Sequence, residues 1–322
     1  MGDAVRTEMG MTALCVRIAC VFDDAYAPHF ATLASSLALT KGPEMLHVTL
    51  VSGPELSEAT AATVVAHLEK LDIVCVRLRV PSAMLDTLPP AGTYPPLIWY
   101  RLLLPDLLPG HERVLYLDAD MLALQSLLPL YLHDLGDNLL GAVAQPTIGL
   151  EAHCRALGLE PQLGYFNSGT LLMNLVRMRA EGFTASALAR AKNNTLRFPD
   201  QDLLNITTAG RWAKLAPKWN AVSYLWLDPL AADGMYGSLE REIALRAPAL
   251  VHFEGPGSLK PWHFRSLHPL REVYRELRAQ TPWPLVELEG RSWIAALLRS
   301  LPLRWQYWIS QTRQRISKAL RG

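Results

Sequence analysis

The fold is decided by residues 17–80, which alternate short apolar segments with longer amphipathic ones. The apolar segments read RIACVF at 17–22, HVTLVS at 47–52 and IVCVRLRV at 73–80. Each is short and bounded by polar or turn residues, as expected for buried strands. Residues 26–40 and 57–70 between them have helical patterns. This order of strands and helices is typical of a parallel sheet covered by helices on both faces, so we predict an α/β fold.

The rest of the chain predicts an extension of the same sheet. We expect helices at 97–108 and 200–209, and strands at 113–117, 139–144, 165–175 and 250–253. The predicted architecture is one mixed, mostly parallel sheet flanked by helices. Open α/β sheets bind ligands in the loops at the carboxyl ends of their strands. We therefore look for function in those loops.

Bulk composition excludes several classes of protein. The chain has 322 residues and a formal net charge of +1, which is too small for a uniform basic coat, so we expect no nucleic-acid partner. Its four cysteines form no CxxC pair, and we expect them to be reduced and buried in a cytosolic protein. We find neither a signal-peptide pattern nor an apolar run long enough to span a membrane.

The C-terminal region differs in character from the rest. Seven cations and no anion follow Glu289, and they alternate with apolar and aromatic residues that include Trp293, Trp305, Tyr307 and Trp308. We expect an N-terminal extension at 1–16, a catalytic domain at 17–282, and a basic, aromatic, helical tail at 283–322. Such a tail suits the surface of an anionic membrane. The alternative is a terminal helix pair that packs on the catalytic domain.

The strongest chemical signal is the pair Asp118 and Asp120. They follow the buried strand at 113–117 directly and precede the apolar run MLAL at 121–124. Carboxylates at a strand end need a cation, because burying an unpaired charge costs several kcal/mol. Oxygen ligands suit a hard divalent ion such as Mn²⁺ or Mg²⁺, which also binds substrate phosphates. An isolated Asp-x-Asp is common in surface turns, so the pair needs support from elsewhere.

Several further blocks carry polar residues at predicted strand or helix ends. They are YFNSG at 165–169, DQD at 200–202 and HFEGPGSLKPW at 252–262. Taken singly, each has an ordinary structural explanation: His252 as a buried structural histidine, Lys260 as a solvated side chain, and Asp200 as a helix cap.

Together these blocks resemble glycosyltransferase family 8, which includes bacterial lipopolysaccharide galactosyl- and glucosyltransferases and glycogenin. The resemblance spans about residues 17–262. It rests on the stretches FDDAYA at 22–27, YRL at 100–102, VLYLDAD at 114–120, DLGDN at 134–138, FNSG at 166–169, DQDLLN at 200–205, WN at 219–220 and the block at 252–262. It implies a GT-A fold, a nucleotide-diphosphate sugar donor, Mn²⁺ dependence and retention of anomeric configuration.

The resemblance also implies a role for each matching residue. Asp118, Asp120 and His252 would be the protein ligands of the metal. Asp23 and Tyr26 would contact the nucleobase and ribose, Arg101 the donor sugar or diphosphate, and Gly255 and Lys260 the diphosphate. Asn167 and Gly169 would line the donor-sugar pocket, and Asp24 and Ala119 complete the expected donor-binding set. Asp200 would bond sugar hydroxyls, and Gln201 would lie at the reactive face of the anomeric carbon.

Two positions depart from the family pattern. Ala25 stands where many relatives have Asn, which removes one polar contact to the donor. Gly255 and Lys260 are five residues apart, whereas many relatives have three, so Ser258 and Leu259 are extra. Of the roles above, that of Lys260 is therefore the least secure.

The expected function is a retaining hexosyltransferase that uses UDP-galactose or UDP-glucose. The expected acceptor is a glycan or glycolipid, such as lipopolysaccharide or lipooligosaccharide core, at the inner face of the cytoplasmic membrane. One alternative is a nucleotidyltransferase, but its usual glycine-rich loop is replaced after the first strand by Asp23-Asp24-Ala25-Tyr26. The other is a non-catalytic family member that binds sugar nucleotides, which Ala25 and the altered lysine loop leave open.

Overall fold

The computed structural model describes residues 4–6, 12–89, 94–145, 150–191, 196–255, 257–285, 287–302 and 305–306. All statements below refer to these residues. The strands are β1 (Ala4–Arg6), β2 (Thr12–Val21), β3 (Met45–Ser52), β4 (Val74–Arg79), β5 (Arg113–Leu117), β6 (Met121–Ala123), β7 (Leu140–Ala144), β8 (Phe166–Asn174), β9 (Trp212–Lys214), β10 (Ala221–Val222) and β11 (Leu250–His252).

The helices lie between and after these strands. They are α1 (Ala27–Thr40), α2 (Glu58–Lys70), α3 (Ser82–Leu85), α4 (Tyr100–Leu107), α5 (Leu128–Tyr131), α6 (Leu150–Ala156), α7 (Leu175–Ala180), α8 (Phe183–Ala191), α9 (Pro199–Thr208), α10 (Tyr224–Leu227), α11 (Pro229–Tyr236), α12 (Ser238–Arg246), α13 (Arg271–Arg278) and α14 (Trp293–Arg299). Four short 3₁₀ turns also occur, at Pro96–Trp99, Pro161–Leu163, Pro217–Asn220 and Gly257–Leu259.

The main sheet has the strand order β4-β3-β2-β5-β8-β7-β9, with β1 antiparallel to part of β2. Strands β2 to β5 pair in parallel, and β8 is antiparallel to both β5 and β7. Strand β9 is parallel to β7. Apart from β1 and β8, the strands therefore run in one direction, which confirms the predicted mixed, mostly parallel sheet.

Each face of the sheet has its own hydrophobic core. On one face α1 and α2 pack over β2, β3 and β5, with Phe30, Leu33, Leu37, Val64 and Leu68 fully buried. On the other face α4, α7, α8 and α9 cover β5, β7 and β8. This layering is the one predicted from residues 17–80, and it leaves the strand ends free to carry polar loops.

A second, three-stranded sheet lies beside the first and has the order β10-β11-β6. Strand β11 is parallel to β10 and antiparallel to β6, with His252 paired to Met121. Its core contains Phe253, Trp262 and Tyr274, which pack with residues of α10 to α13. The small sheet fixes the relation between the segment after Asp120 and the segment that ends at His252.

The predicted elements agree with the observed ones to within a few residues, with two kinds of difference. The helix expected at 97–108 is a 3₁₀ turn at Pro96–Trp99 that continues as α4. Strands β1, β6, β9 and β10 were not predicted, because two or three residues are too few to show a period. Helices α3, α5 to α8 and α10 to α13 were not predicted either. All four cysteines are free; Cys15, Cys20 and Cys154 are buried as expected, whereas Cys75 is only half-buried.

The C-terminal region contains α14, whose N-cap Ser292 accepts a hydrogen bond from the backbone of Ala295. Residues 303–304 and 307–322, which carry five of the seven cations of the predicted basic tail, lie outside the described residues. Among the helices that are described, none is both long and apolar enough to cross a membrane.

Two buried histidines make the fold sensitive to acid. His268 lies between the rings of Trp226 and Phe253, and its Nδ1 accepts the backbone N–H of Leu270 at 3.1 Å. Burial and nearby arginines lower the pKa of both His29 and His268 from 6.5 to about 3. Below pH 6.5 the unfolded chain therefore binds protons that the folded chain does not, so stability falls as the pH drops from 6.5 towards 3.

We predict that His268→Asn flattens this dependence, since Asn retains an acceptor for Leu270 but does not titrate. Below pH 6.5 the slope of unfolding free energy against pH should fall by about 1.4 kcal/mol per pH unit. Urea unfolding followed by circular dichroism between pH 7 and 4 measures it. The same change at exposed His133 is the matched control. Equal slopes for the two variants would show that His268 does not cause the pH dependence of the unfolding free energy.

Candidate active site

The candidate site lies at the edge of the main sheet where the parallel strands end. Asp23 follows β2, Asp118 follows β5, and Gln145 follows β7. Because β8 runs in the opposite direction, its first residues, which include Asn167 and Gly169, reach the same edge. The backbone N–H of Asp118 donates to Gly169 O at 2.9 Å, so the two segments are directly joined.

Arg101 holds two of the acidic side chains. This buried arginine on α4 bonds Asp118 Oδ1 at 3.0 Å and Asp200 Oδ2 at 2.8 Å. It also donates to Ser168 and lies over the ring of Tyr116, whose hydroxyl donates to Asp118 Oδ1 at 2.8 Å. Because both carboxylates share one fixed guanidinium, their positions relative to each other are set by α4.

Asp120 is paired with Lys260. The Nζ of Lys260 lies 2.5 Å from Asp120 Oδ2 and close to the rings of Tyr26 and Trp262. Although burial opposes ionisation, Lys260 and His252 hold the pKa of Asp120 well below its usual range. The extra residues Ser258 and Leu259 fold into the 3₁₀ turn at Gly257–Leu259. The longer loop therefore still brings Lys260 into the site.

His252 completes a cluster with the two aspartates. Its Nε2 lies 3.4 Å from Asp120 Oδ1 and 3.6 Å from Asp118 Oδ2, and donor atoms of the three residues lie within 4.8 Å of one another. Its Nδ1 is 3.0 Å from Asn220 Oδ1. Because an amide oxygen only accepts, the proton is assigned to Nδ1, and Nε2 faces the carboxylates as a free ligand atom when the ring is neutral. Two carboxylate oxygens and one imidazole nitrogen fit a divalent metal ion.

A chain of side-chain amides supports this histidine from behind. Asn220 Nδ2 donates to Asn167 Oδ1 at 2.8 Å, and the N–H of Gly169 donates to the same oxygen at 2.9 Å. Asn167 Nδ2 donates in turn to Gln145 Oε1 and to Glu254 Oε2. A Cβ on Gly169 would lie 2.4 Å from Cε1 of His252, so only glycine leaves room for the imidazole. The backbone and the amides together fix the orientation of the ring.

Asp200 and Gln201 lie in the first turn of α9. Asp200 accepts from Ser168 Oγ at 3.0 Å in addition to Arg101. The carboxamide of Gln201 is bonded at both ends, since Oε1 accepts the N–H of Ser168 at 3.1 Å and Nε2 donates to Tyr165 at 3.2 Å. Asp202 is fully buried and caps the backbone of Arg197 and Phe198, so its role is structural.

The expected nucleoside contacts lie in the loop after β2. Asp23 Oδ1 accepts the backbone N–H of Tyr26, and Asp24 Oδ1 accepts the N–H of Ser57 at the start of α2. Tyr26 is 39% exposed beside Lys260, so one part of its surface stays available to a ligand. Ala119 is buried between the two aspartates, and Gly255 has a φ of 85°, which favours glycine.

Sequence reasoning did not single out four polar residues that bond to the expected site: Tyr116, Gln145, Asn220 and Glu254. Asn220 and Glu254 lie inside stretches that had been noted, WN at 219–220 and the block at 252–262. No sequence pattern predicts that their side chains meet Asn167, because those contacts span 53 and 87 residues.

The chain matches the model of glycosyl transferase family 8 over residues 17–266. General stress protein A of Bacillus subtilis (strain 168) is 28% identical over 191 residues, which are 58% of this chain and 65% of that protein. A lipopolysaccharide 1,2-glucosyltransferase of Escherichia coli (strain K12) is 26% identical over 176 residues, 53% of this chain and 50% of that protein. The matches therefore span less than two thirds of either relative.

A solved structure agrees over a larger share of the chain. The galactosyltransferase LgtC, in complex with donor and acceptor sugar analogues, has a TM-score of 0.70 and 26% identity. The similarity covers 83% of this chain and 96% of that one. Since the family model matches residues 17–266, which include Asp118, Asp120 and His252, and the solved structure shares the fold, this protein belongs to glycosyl transferase family 8 and has the GT-A fold that its motifs predicted.

Proposed function

We propose that the protein transfers a hexose, glucose or galactose, from a UDP-sugar to an acceptor glycan with retention of anomeric configuration. The observation that carries the proposal is the cluster of Asp118, Asp120 and His252 at the ligand-binding edge of the sheet. The names of the relatives, a lipopolysaccharide glucosyltransferase and a galactosyltransferase, support a glycolipid acceptor such as lipopolysaccharide core.

The same three residues would hold Mn²⁺, or Mg²⁺ in its place. When bound, such an ion supplies positive charge to the diphosphate that leaves with the nucleotide. Lys260, which already lies at Asp120, would contact that diphosphate together with Gly255. Asp23, Asp24, Ala119 and Tyr26 would bind the nucleoside part of the donor. In this proposal the metal ion and Lys260 would stabilise the negative charge as it develops, which is the largest type of catalytic contribution.

The hydrogen bonds of Asp200 and Gln201 favour transfer on the front face of the sugar over a covalent intermediate. Asp200 is paired with Arg101, and both ends of the Gln201 amide are already bonded. A paired carboxylate and a fixed amide are poor nucleophiles. They suit instead the binding of sugar hydroxyls and the stabilisation of charge at the anomeric carbon, with Asn167 and Gly169 lining the sugar pocket. A glycosyl adduct trapped on Asp200 or Gln201 would contradict this assignment.

The tail is proposed to hold the enzyme on the inner face of the cytoplasmic membrane, with 283–322 as the anchor, whereas the N-terminal extension predicted at 1–16 is shorter, since residues 12–16 belong to β2 and Cys15 and Val16 are buried. Helix α14 supports this proposal, because Trp293 and Leu297 are 79% and 63% exposed. Arg299 lies over the ring of Phe264, on the catalytic domain. Exposed aromatic and aliphatic side chains next to cations are what an anionic membrane surface accommodates.

The function itself predicts that Asp120→Asn abolishes turnover. UDP release from UDP-glucose and UDP-galactose with Mn²⁺ should fall by about a hundredfold or more, because the ion loses a charged ligand and its site loses affinity. Asp137→Asn is the matched control, since the Asp137 side chain is 98% exposed and forms a surface ion pair with Arg177. A wild-type chain that releases no UDP from either donor would contradict the proposal, and turnover that requires pyrophosphate would favour nucleotidyl transfer.

We further predict that Gly169→Ala weakens metal binding by about tenfold or more, because the added methyl group displaces the His252 ring and its support. Mn²⁺ affinity, measured by electron paramagnetic resonance of the free ion, reports this without an activity assay. Gly110→Ala is the control, since a Cβ there meets nothing within 4 Å. Equal affinity in the two variants would remove His252 from the ligand set.

For the tail, we predict that Trp293→Ser combined with Leu297→Ser weakens binding to phosphatidylglycerol vesicles by about tenfold or more, since each side chain loses its burial in the interface. Co-sedimentation with vesicles measures the binding. Leu239→Ser, on the exposed surface of α12, is the control because Leu239 is 69% exposed. Unchanged co-sedimentation of the double variant would argue for a tail that only packs on the protein.

A further inference from the structure

Glu254 differs from the other acidic side chains at the centre of the site. Asp118, Asp120 and Asp200 each have an Arg or Lys nitrogen within 3.0 Å. No Arg or Lys in the described part of the chain makes such an ion pair with Glu254. Its carboxylate accepts instead from the amide of Asn167 at 3.0 Å and interacts with the Gln145 side chain. Among the described residues, the hydrogen-bond partners of this partly buried carboxylate are amides, which leave it unused acceptor capacity.

The backbone directs Glu254 into the site. Side chains alternate along an extended segment, so residues two apart share a side. Phe253 is fully buried in the core of the small sheet, against Tyr274. His252 and Glu254, on either side of it, therefore point the other way, towards the metal cluster. Glu254 remains half-buried, so part of its side chain can still be reached from outside.

A cavity of about 810 Å³ lies beyond the residues around Glu254, which does not itself line it. Its lining includes Ala144, which precedes Gln145, and the aromatic residues Tyr165, Trp212 and Tyr236. Strand β7, which ends at Ala144, is two strands from β5, or roughly 10 Å along the sheet edge. The hydroxyl of Tyr165 bonds Gln201. Burial, with the charge of Glu254 in addition, raises the pKa of Tyr236. Tyr165 and Tyr236 thus connect the lining of the cavity to Gln201 and to the surroundings of Glu254.

We propose that Glu254 binds the acceptor: its carboxylate accepts hydrogen bonds from hydroxyl groups of the sugar that receives the hexose, and the rest of the acceptor glycan occupies the cavity. This inference rests on the proposed glycosyltransferase function. The volume suits a small saccharide, and aromatic walls suit the apolar faces of sugar rings. Because Glu254 repels anions, the receiving sugar is a neutral one that carries no phosphate beside the reacting hydroxyl.

The test separates reaction with water from reaction with a sugar. Full-length protein with Mn²⁺ and UDP-glucose or UDP-galactose is assayed for UDP release alone and with octyl β-lactoside, a neutral acceptor probe that carries both galactose and glucose rings. We expect Glu254→Gln to raise the KM for the lactoside by about tenfold or more, the effect of losing hydrogen bonds to a charged group. In Glu254→Gln the rate of transfer to the lactoside should fall far more than the rate of donor hydrolysis, and Glu254→Asp should recover part of the transfer rate. Glu276→Gln, at an exposed position of α13, should behave as wild type.

The remaining outcomes are also decisive. If Glu254→Gln lowers hydrolysis and transfer equally and leaves the lactoside KM unchanged, Glu254 only supports Asn167 and the inference is overturned. Hydrolysis by the wild type without any transfer to the lactoside also overturns the inference, because the inference requires that a neutral hexose can act as the acceptor. Absence of hydrolysis with either donor would instead contradict the proposed function, so the two failures are distinguishable.

Discussion

The structure depends on the cost of placing Asp118 and Asp120 at the end of a buried strand. Two carboxylates this close in a desolvated site repel each other and lose their hydration, so they persist only with cations beside them. Three basic side chains contact these carboxylates: Arg101 on α4, Lys260 after the turn at Gly257–Leu259, and His252 at the end of β11. His252 and Lys260 belong to one segment, and Lys260 is 140 residues from Asp120 in sequence. The charge balance of one pair of residues therefore requires the correct packing of α4 and of this distant segment.

The small sheet fixes the position of His252 relative to Asp118 and Asp120. Strand β6 follows Asp120 directly and is antiparallel to β11, and the N–H of Phe253 donates to Asp120 O at 3.0 Å. His252 is therefore positioned against the aspartates by main-chain hydrogen bonds rather than by side-chain contacts alone. The amides of Asn220 and Asn167 then set its ring, and Gly169 provides the space. Such support shifts little on ligand binding, which is the condition for electrostatic preorganisation.

Much of the fold could be predicted from sequence, because strands β2 to β5 and helices α1 and α2 repeat strong local signals. The apolar segments are bounded by turns, and α2 begins at a capping Ser57. Strands β6 and β10 could not be predicted, since they are defined by partners and not by their own pattern. The site likewise contains residues that a local pattern identifies and residues whose contacts form only on folding. Asp118, Asp120 and His252 lie in recognisable motifs, whereas the link from His252 through Asn220 and Asn167 to Glu254 exists only after folding.

Lys260 illustrates why spacing in sequence is a weak guide to position in a site. Two extra residues after Gly255 suggested that its side chain had moved. The structure absorbs them in one 3₁₀ turn, in which the N–H of Lys260 donates to Gly257 O at 2.9 Å. The ring of Trp262 and the carboxylate of Asp120 then define where the ammonium group lies. A long flexible side chain is located by the charges and surfaces that attract it, and here these are fixed by the sheet. Insertions in the supporting loop are therefore tolerated as long as the carboxylate at the end of β5 keeps its place.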